Sequence, residues 1–350
     1  MKKIPTRALL AGLLAVATAG VALAAEDKIP RRPDGSPDLS GNYDISTLTP
    51  MQRRPELGER IYLTEEEAAA IARGAEQNEV RNWRTSDPNR EAPAKGGNVG
   101  GYNGFYLDRG TSAVMVDGKY RTSLLTDPSN GRFPDFTAKG KARREGLYGF
   151  SKKNTGDAWW LDREIGPYDG PESLSIADRC IFSLEATMPI LPKAYNNIKT
   201  VVQTDDYVMI LIEWMGHARI IRLASEHMPA GVRSRSGDSI GWWDGDTLVV
   251  DTTNFLEENW LTTTLFNEPS PAHDQHVVER LTPLKGGDLH YEFTVESSDY
   301  TAPYTGSYAW PATPNRLYEY ACLEGNYAMG NILRGARLLE QDAQAGGGSD

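Results

Sequence analysis

The pattern of apolar and polar positions predicts a chain dominated by short antiparallel strands after residue 180. Apolar and polar residues alternate over Leu289–Glu296, the pattern of a strand with one buried face. Residues 207–214 are apolar on both faces and predict a central strand. Further strands are predicted at residues 200–203, 218–223, 275–281, 304–310 and 316–322. Because sequential antiparallel strands must protect their edges, we expect an antiparallel meander that closes into a β-barrel.

Residues 237–258 carry the clearest hairpin signal. Asp244-Gly245 separates two β-rich runs, and such a pair suits a tight turn that needs positive φ. With these two residues as the loop, Asp238 lies opposite Asp251 on one face. Two carboxylates in that position repel unless a cation lies between them or they share a proton, which predicts a proton-handling or cation-binding pair. A three-residue loop would place them on opposite faces.

The chain is expected to divide into one β domain and an N-terminal extension. Residues 25–110 are rich in proline and turn residues and predict an extended arm, ending in a glycine-rich, aromatic loop without phosphate-cradle spacing. One helix is predicted in this arm, because Thr64 and Glu67 form a capping box before an alanine-rich run. Residues 111–340 are assigned to the β-barrel domain, and residues 341–350 to a disordered tail.

Residues 1–24 have the form of a cleavable signal peptide. Three basic residues precede an apolar stretch, and Ala22-Leu23-Ala24 is a small-x-small cleavage site. No later run reaches the roughly 18 consecutive apolar residues of a membrane-spanning helix. We therefore expect a periplasmic protein without membrane insertion.

The net charge limits the possible partners, and the cysteines indicate a disulfide. Without the signal peptide the chain has 34 Lys+Arg against 48 Asp+Glu, a formal charge of −14. This charge argues against nucleic acid and anionic membrane surfaces as partners. The two cysteines, Cys180 and Cys322, lack CxxC or Cys/His spacing, and an oxidising compartment favours a disulfide between them.

The densest group of acidic, basic and cationic residues surrounds the end of the predicted central strand. Its members are the candidate catalytic residues Glu213, His217, Arg219 and His227. A histidine beside a carboxylate can act as a general acid or base, and an arginine can stabilise an oxyanion. The same residue types also form ordinary cross-strand ion pairs. His273 and His276 have H-x-x-H spacing, but without a third ligand no metal site and no cofactor are predicted.

Three functions remain open. The first is a periplasmic barrel that binds a small, partly apolar or aromatic ligand in its mouth. Its candidate ligand-binding residues are Trp242, Asp238, Asp251 and Glu319. The second is a cofactor-independent acid/base enzyme, such as a lyase, hydratase or isomerase, on the same barrel. The third is a structural partner of envelope proteins. The sequence does not indicate the oligomeric state.

Several motifs carry a resemblance that covers nearly the whole mature chain. They are PDGSPDLSGNY, VGGYNGFYLDRG, GDSIGWWDGDTLVVDTTNF and YEYACLEGNYAMGNILRGAR. Together they resemble a large family of exported bacterial hypothetical proteins. The resemblance implies export, and it implies no activity, cofactor or catalytic residue. The predicted barrel also resembles lipocalin-like folds, a likeness of architecture that does not decide function.

Overall fold

A computed structural model describes residues 29–346 except 86, 92, 95–96, 98–106, 149–154, 183–187 and 257–271. The predicted signal peptide, most of the glycine-rich loop and the last four residues of the predicted tail lie outside the described residues. Within the described part of the chain, no helix combines the length and the apolar character needed to cross a membrane.

The fold is mainly β, as predicted. The described residues contain twelve strands: β1 (Gly41–Asp44), β2 (Met115–Val116), β3 (Lys119–Tyr120), β4 (Leu125–Asp127), β5 (Ile198–Gln203), β6 (Tyr207–Ile212), β7 (His217–Leu223), β8 (Asp238–Asp244), β9 (Thr247–Thr253), β10 (His276–Pro283), β11 (Leu289–Glu296) and β12 (Tyr304–Trp310). Ten of them form one sheet in the order β1-β5-β6-β7-β8-β9-β10-β11-β12-β4, which curls into a half barrel. Closure into a lipocalin-like barrel stays a prediction.

The two ends of the strand order both contact β12 or the residues just after it. The amide of Asp44 in β1 donates to the carbonyl of Pro311 at 3.0 Å, and Thr313 donates to Asn42 at 2.9 Å. Leu125 of β4 pairs with Gly306 near the start of β12. The residues that follow β12 therefore cover the open edge of β1.

Three α-helices occur in the described residues: α1 (Glu65–Asn82), α2 (Ala138–Tyr148) and α3 (Tyr327–Gly346). The predicted capping box begins α1, because Thr64 Oγ1 accepts from Glu67 N at 3.2 Å and Glu67 Oε2 accepts from Thr64 N at 2.8 Å.

The C-terminal region differs from the prediction. No strand forms at residues 316–322, which follow two prolines and make no ladder with the sheet. Helix α3 runs through Gly346, so residues 341–346 are helical rather than disordered, because alanine, leucine, arginine and glutamine are strong helix formers. A disulfide between Cys180 and Cys322, with a Cα–Cα distance of 5.7 Å, fastens the chain just before this helix.

The inner face of the half barrel is the hydrophobic core. Large side chains of β11 and β12, including Tyr291, Phe293, Tyr308 and Trp310, are fully buried and contact one another. The chain at Ile190 fills the space in front of them. Its amide donates to the Tyr291 hydroxyl at 2.9 Å, and its carbonyl accepts from the Tyr308 hydroxyl at 2.7 Å.

The connection between β7 and β8 departs from a simple meander, because these two strands are parallel. Parallel neighbours need a long crossover, and residues 224–237 provide it. We call this segment the crossover. The Ser234 amide donates to the Asn254 carbonyl at 3.1 Å, and Arg233 Nη1 donates to the Phe255 carbonyl at 3.0 Å. These bonds fix the crossover beside the end of β9 and bring His227 over the outer face of the sheet.

Candidate active site

The hairpin of β8 and β9 turns one residue later than predicted. Asp244 pairs with Thr247, so the two-residue loop is Gly245-Asp246. Gly245 has φ +61°, which suits the first position of such a loop. Asp238 and Asp251 therefore share one face, as the two-residue loop predicts, but they are not directly opposite. The three-residue alternative is wrong.

Six charged or titratable side chains meet on the outer face of the sheet. We call them the outer-face cluster: Arg222, His227, Asp238, Asp251, His276 and Glu296. His227 bridges the two aspartates, with Nδ1 2.9 Å from Asp238 Oδ2 and Nε2 2.8 Å from Asp251 Oδ1. His276 Nε2 lies 2.8 Å from the other oxygen of Asp251. A titratable ring thus occupies the place between the carboxylates where the sequence predicted a cation or a shared proton.

Asp238 receives the densest set of donors in the cluster. Arg222 Nη2 donates to its two oxygens at 2.8 and 3.0 Å, and the Met228 amide donates to Oδ2 at 2.8 Å. Burial raises the pKa of Asp238, but the hydrogen bonds from Met228, His227 and Arg222 outweigh it and lower the pKa below its ordinary value. Asp238 is therefore a carboxylate at neutral pH.

Asp251 is shared by the two histidines. Burial raises the pKa of Asp251, and the hydrogen bonds from His276 and His227 outweigh it, so the pKa lies below its ordinary value. Each ring nitrogen of His227 lies within hydrogen-bond distance of one of the two aspartates. His227 thus has no ring nitrogen left for a substrate.

His276 is the more exposed of the two histidines in the cluster. Its hydrogen bond to Asp251 raises the pKa of His276, burial acts against this, and the charges of Asp251 and Glu296 add to the rise. Its Nδ1 lies 3.7 Å from Glu296 Oε2, beyond hydrogen-bond distance. The His276 side chain is 35% exposed. A partly exposed imidazole that a carboxylate orients through one nitrogen has the arrangement of a general acid or base.

The predicted catalytic group of Glu213, His217, Arg219 and His227 is not assembled. Residues 217 and 219 of β7 lie on the inner face, because side chains alternate along a strand. His227 lies on the crossover and therefore reaches the outer face. Burial lowers the pKa of His217, and its ring packs edge-on against Phe182 with centroids 5.2 Å apart.

Arg219 is buried in an inner network instead. Its guanidinium forms an ion pair with Glu279, in which Nη1 lies 3.0 Å from Oε1, and it donates to Ser239 Oγ at 3.0 Å and Thr252 Oγ1 at 2.8 Å. The Tyr291 hydroxyl donates to Glu279 Oε1 at 2.6 Å. Every member of this network is already paired within the core, which is the arrangement of a structural ion pair.

The remaining predicted site residues lie outside the outer-face cluster. The carboxylate of Glu213 is buried and accepts from the Ile198 amide at 3.1 Å. Trp242 is on the outer face and 45% exposed, but it lies toward the turn of the hairpin. Glu319 is exposed in the irregular segment after β12, so it does not face the interior.

Sequence reasoning did not assign Arg222, His276 and Glu296 to one site. The alternation along β11 already placed Glu296 on the polar face of this strand. The register of β9 with β10 and of β10 with β11 would have been needed to bring Asp251 and His276 close to Glu296. The position of Arg222 in the cluster depends on the parallel pairing of β7 with β8, for which the sequence has no local signal.

No family model, no curated protein and no solved structure matches this chain. Among the described residues, no group of three or more histidine, cysteine, aspartate or glutamate side chains is arranged to hold a metal ion. The chemistry of the outer-face cluster is therefore inferred from its own geometry.

Proposed function

We propose that this protein binds a small, partly apolar or aromatic molecule at the outer-face cluster and exchanges a proton with it through His276. The reaction class is cofactor-independent acid/base chemistry, as in a lyase, hydratase or isomerase. One observation carries the proposal: Asp251 holds His276 Nε2 at 2.8 Å, while the His276 side chain is 35% exposed. Asp251 orients the ring, and His276 Nδ1 is the atom that gives or accepts the proton.

His227 and Asp238 support this pair without touching the substrate. His227 holds the second oxygen of Asp251, so the carboxylate cannot rotate away from His276. Asp238 and the Met228 amide in turn fix His227 and the crossover. We therefore assign His227 and Asp238 as positioning residues.

Exposed apolar side chains beside the cluster support a partly apolar ligand. Met228 is 47% exposed, Val232 is 53% exposed and Leu256 is 38% exposed. The crossover and the end of β9 are joined here, because Asn254 Nδ2 donates to the Met228 carbonyl at 2.9 Å. Apolar surface next to a few oriented polar groups is the usual composition of a small-molecule site.

The outer face is favoured over the barrel mouth. Tyr291 and Trp310 have ring centroids 4.8 Å apart and are fully buried, and the Ile190 amide donates to the Tyr291 hydroxyl. A closed, lipocalin-like barrel remains our expectation for the scaffold, with its aromatic interior as core. Export to the periplasm is part of the proposal and is supported by the disulfide, since oxidising compartments favour such bonds.

The test begins with native mass spectrometry of the mature protein purified from a periplasm. A mass that is released on denaturation identifies the bound molecule, which is then incubated with the protein in D2O. We expect deuterium to enter a carbon position of that molecule with the wild type and not with His276→Gln. His290→Gln is the matched control, because His290 lies on β11 outside the cluster.

Equal deuterium incorporation by His276→Gln would overturn the assignment of His276. A bound molecule that exchanges no deuterium would leave a binding protein without turnover. A protein that carries no small molecule and copurifies with envelope proteins would favour the structural partner.

A further inference from the structure

A cavity of about 830 Å³ lies between α1 and other residues of the N-terminal arm. Residues of α1 between Ala70 and Asn82 line one side, and Leu48, Arg54 and residues 107 and 109–111 line the other. Within the described structure, Ala68 is the only buried residue of α1, so most of the helix is not covered by the rest of the described chain. The volume is in the range of small-molecule sites, about 300–1,000 Å³.

A second cavity, of about 240 Å³, adjoins the first. Four residues line both cavities: Leu48, Arg54, Ala70 and Ile71. The other apolar residues of the smaller cavity are Pro50, Leu57, Leu63 and Ala113. Glu67 also lines it, but the carboxylate of Glu67 is paired with Arg60 at 2.7 Å. The smaller cavity is therefore mainly apolar and suits an apolar group.

Three exposed arginines line the larger cavity: Arg54, Arg73 and Arg109. None of their guanidinium groups forms an ion pair or a hydrogen bond with a side chain in the described part of the chain. Arg60 of the same arm, by contrast, is held by Glu67 through two hydrogen bonds of 2.7 Å. The larger cavity thus offers three guanidinium groups with unused donors.

The acidic side chains of the larger cavity do not cancel these arginines. Glu76 and Glu79 line it, so three cations face two carboxylates. This local excess of positive charge occurs in a chain with 48 acidic and 37 basic residues. The remaining carboxylate, that of Glu56, lines only the smaller cavity. A cavity lined by an excess of one charge attracts ligands of the opposite charge, here anions.

We propose that the two adjoining cavities bind a small amphipathic carboxylate. Its apolar part occupies the smaller cavity, and its carboxylate lies at Arg54, Arg73 and Arg109 in the larger one. Guanidinium groups bind carboxylates through charge-assisted hydrogen bonds, often two in parallel. Arg54 lines both cavities and therefore lies where the apolar part would join the carboxylate. This site is in the N-terminal arm and does not depend on the function proposed for the outer-face cluster.

The test is calorimetric titration of the full mature protein with octanoate, 1-octanol and acetate at constant ionic strength. Octanol has the chain without the charge, and acetate has the charge without the chain. We expect octanoate to bind at least about tenfold more tightly than either, because it alone uses both cavities.

The double variant Arg54→Gln/Arg109→Gln is expected to bind octanoate about tenfold more weakly or worse, because two charged donors are lost. The matched control is Arg81→Gln/Arg280→Gln, which removes the same charge from α1 and β10 outside both cavities. The replaced arginines of the cavity are exposed, so the double variant is expected to keep the Tm of the wild type.

Four results would overturn the proposal. The first is no measurable binding of octanoate, and the second is octanol that binds as tightly as octanoate. The third is an equal affinity for octanoate in the wild type and Arg54→Gln/Arg109→Gln, or an equal loss in the matched control. The fourth is binding that Arg222→Gln weakens and Arg54→Gln/Arg109→Gln does not, which would place octanoate at the outer-face cluster.

Discussion

Two charged networks are built on the same four strands, β7 to β10, and lie on opposite faces of the sheet. On the inner face Arg219 meets Glu279, and on the outer face Arg222 and Asp238 continue toward His276. The inner pair is at most 2% exposed, whereas the side chains of the outer-face cluster range from 16% exposed for Asp238 to 60% for Glu296. Residues only a few positions apart on one strand therefore enter different dielectric environments.

The difference shows what each network can do. Glu279 is paired inside the core with Arg219 and Tyr291, so its role is to hold β7, β10 and β11 together. The outer-face cluster contains the titratable rings and keeps one of them open to solvent. Chemistry is thus expected on the outer face, and stability on the inner face.

The largest effect is expected from breaking the inner ion pair. Glu279→Ala leaves the guanidinium of Arg219 buried without a partner, which costs on the order of 3–5 kcal/mol of unfolding free energy. Urea unfolding at neutral pH measures this loss. The double variant Arg219→Met/Glu279→Leu is expected to recover most of it, because no charge remains buried. A loss below about 1 kcal/mol for Glu279→Ala would show that the pair is not sealed from water.

A smaller effect is expected from Asp251→Asn on the outer face. This change removes the charge that accepts from His227 and His276, and each hydrogen bond to a charged group contributes about 1.5–3 kcal/mol at most, less where solvent screens it. Urea unfolding is expected to show a loss of about 1–2 kcal/mol, below that of Glu279→Ala. A loss as large as that of Glu279→Ala would contradict the contrast between the faces.

The smallest effect is a pH dependence carried by His276. The pKa of His276 is raised in the folded state. Its contribution to the free energy of unfolding is therefore fully present below the ordinary pKa and is lost as the pH rises through the folded-state pKa. The unfolding free energy of the wild type relative to His276→Gln should therefore be greater near pH 5 than near pH 9, by about 0.2–1 kcal/mol for a solvent-screened pair. His290→Gln should show no such trend. The opposite slope would mean that Asp251 does not stabilise the charged ring.

Local signals in the sequence predicted local structure well. The capping box at Thr64 and Glu67 begins α1, and the alternation of β11 matches its observed bounds. Each of these signals depends on interactions within a few residues. The hairpin of β8 and β9 was misplaced by one residue, because two adjacent aspartates flank Gly245 and both suit a turn.

The site could be predicted only in part, because it depends on long-range pairing. Asp238 and Asp251 were singled out from one hairpin, which is a local unit. Their link to His227 requires the parallel pairing of β7 with β8, and hydrophobic periodicity does not encode which strand becomes a neighbour. The alternation of side chains along β7 is enough to place Arg219 and Arg222 on opposite faces of the sheet. The same alternation along β10 places Glu279 on the inner face, where it can pair with Arg219.

The Cys180–Cys322 disulfide closes a covalent ring, because the two cysteines are 142 positions apart and β5 to β12 lie between them. Both networks of the sheet are therefore inside one ring. A single proteolytic cut within the ring leaves the two pieces joined until the disulfide is reduced. The protein can thus be nicked within this region without releasing a fragment, whereas a cut in the N-terminal arm separates the residues before the cut from the covalent ring.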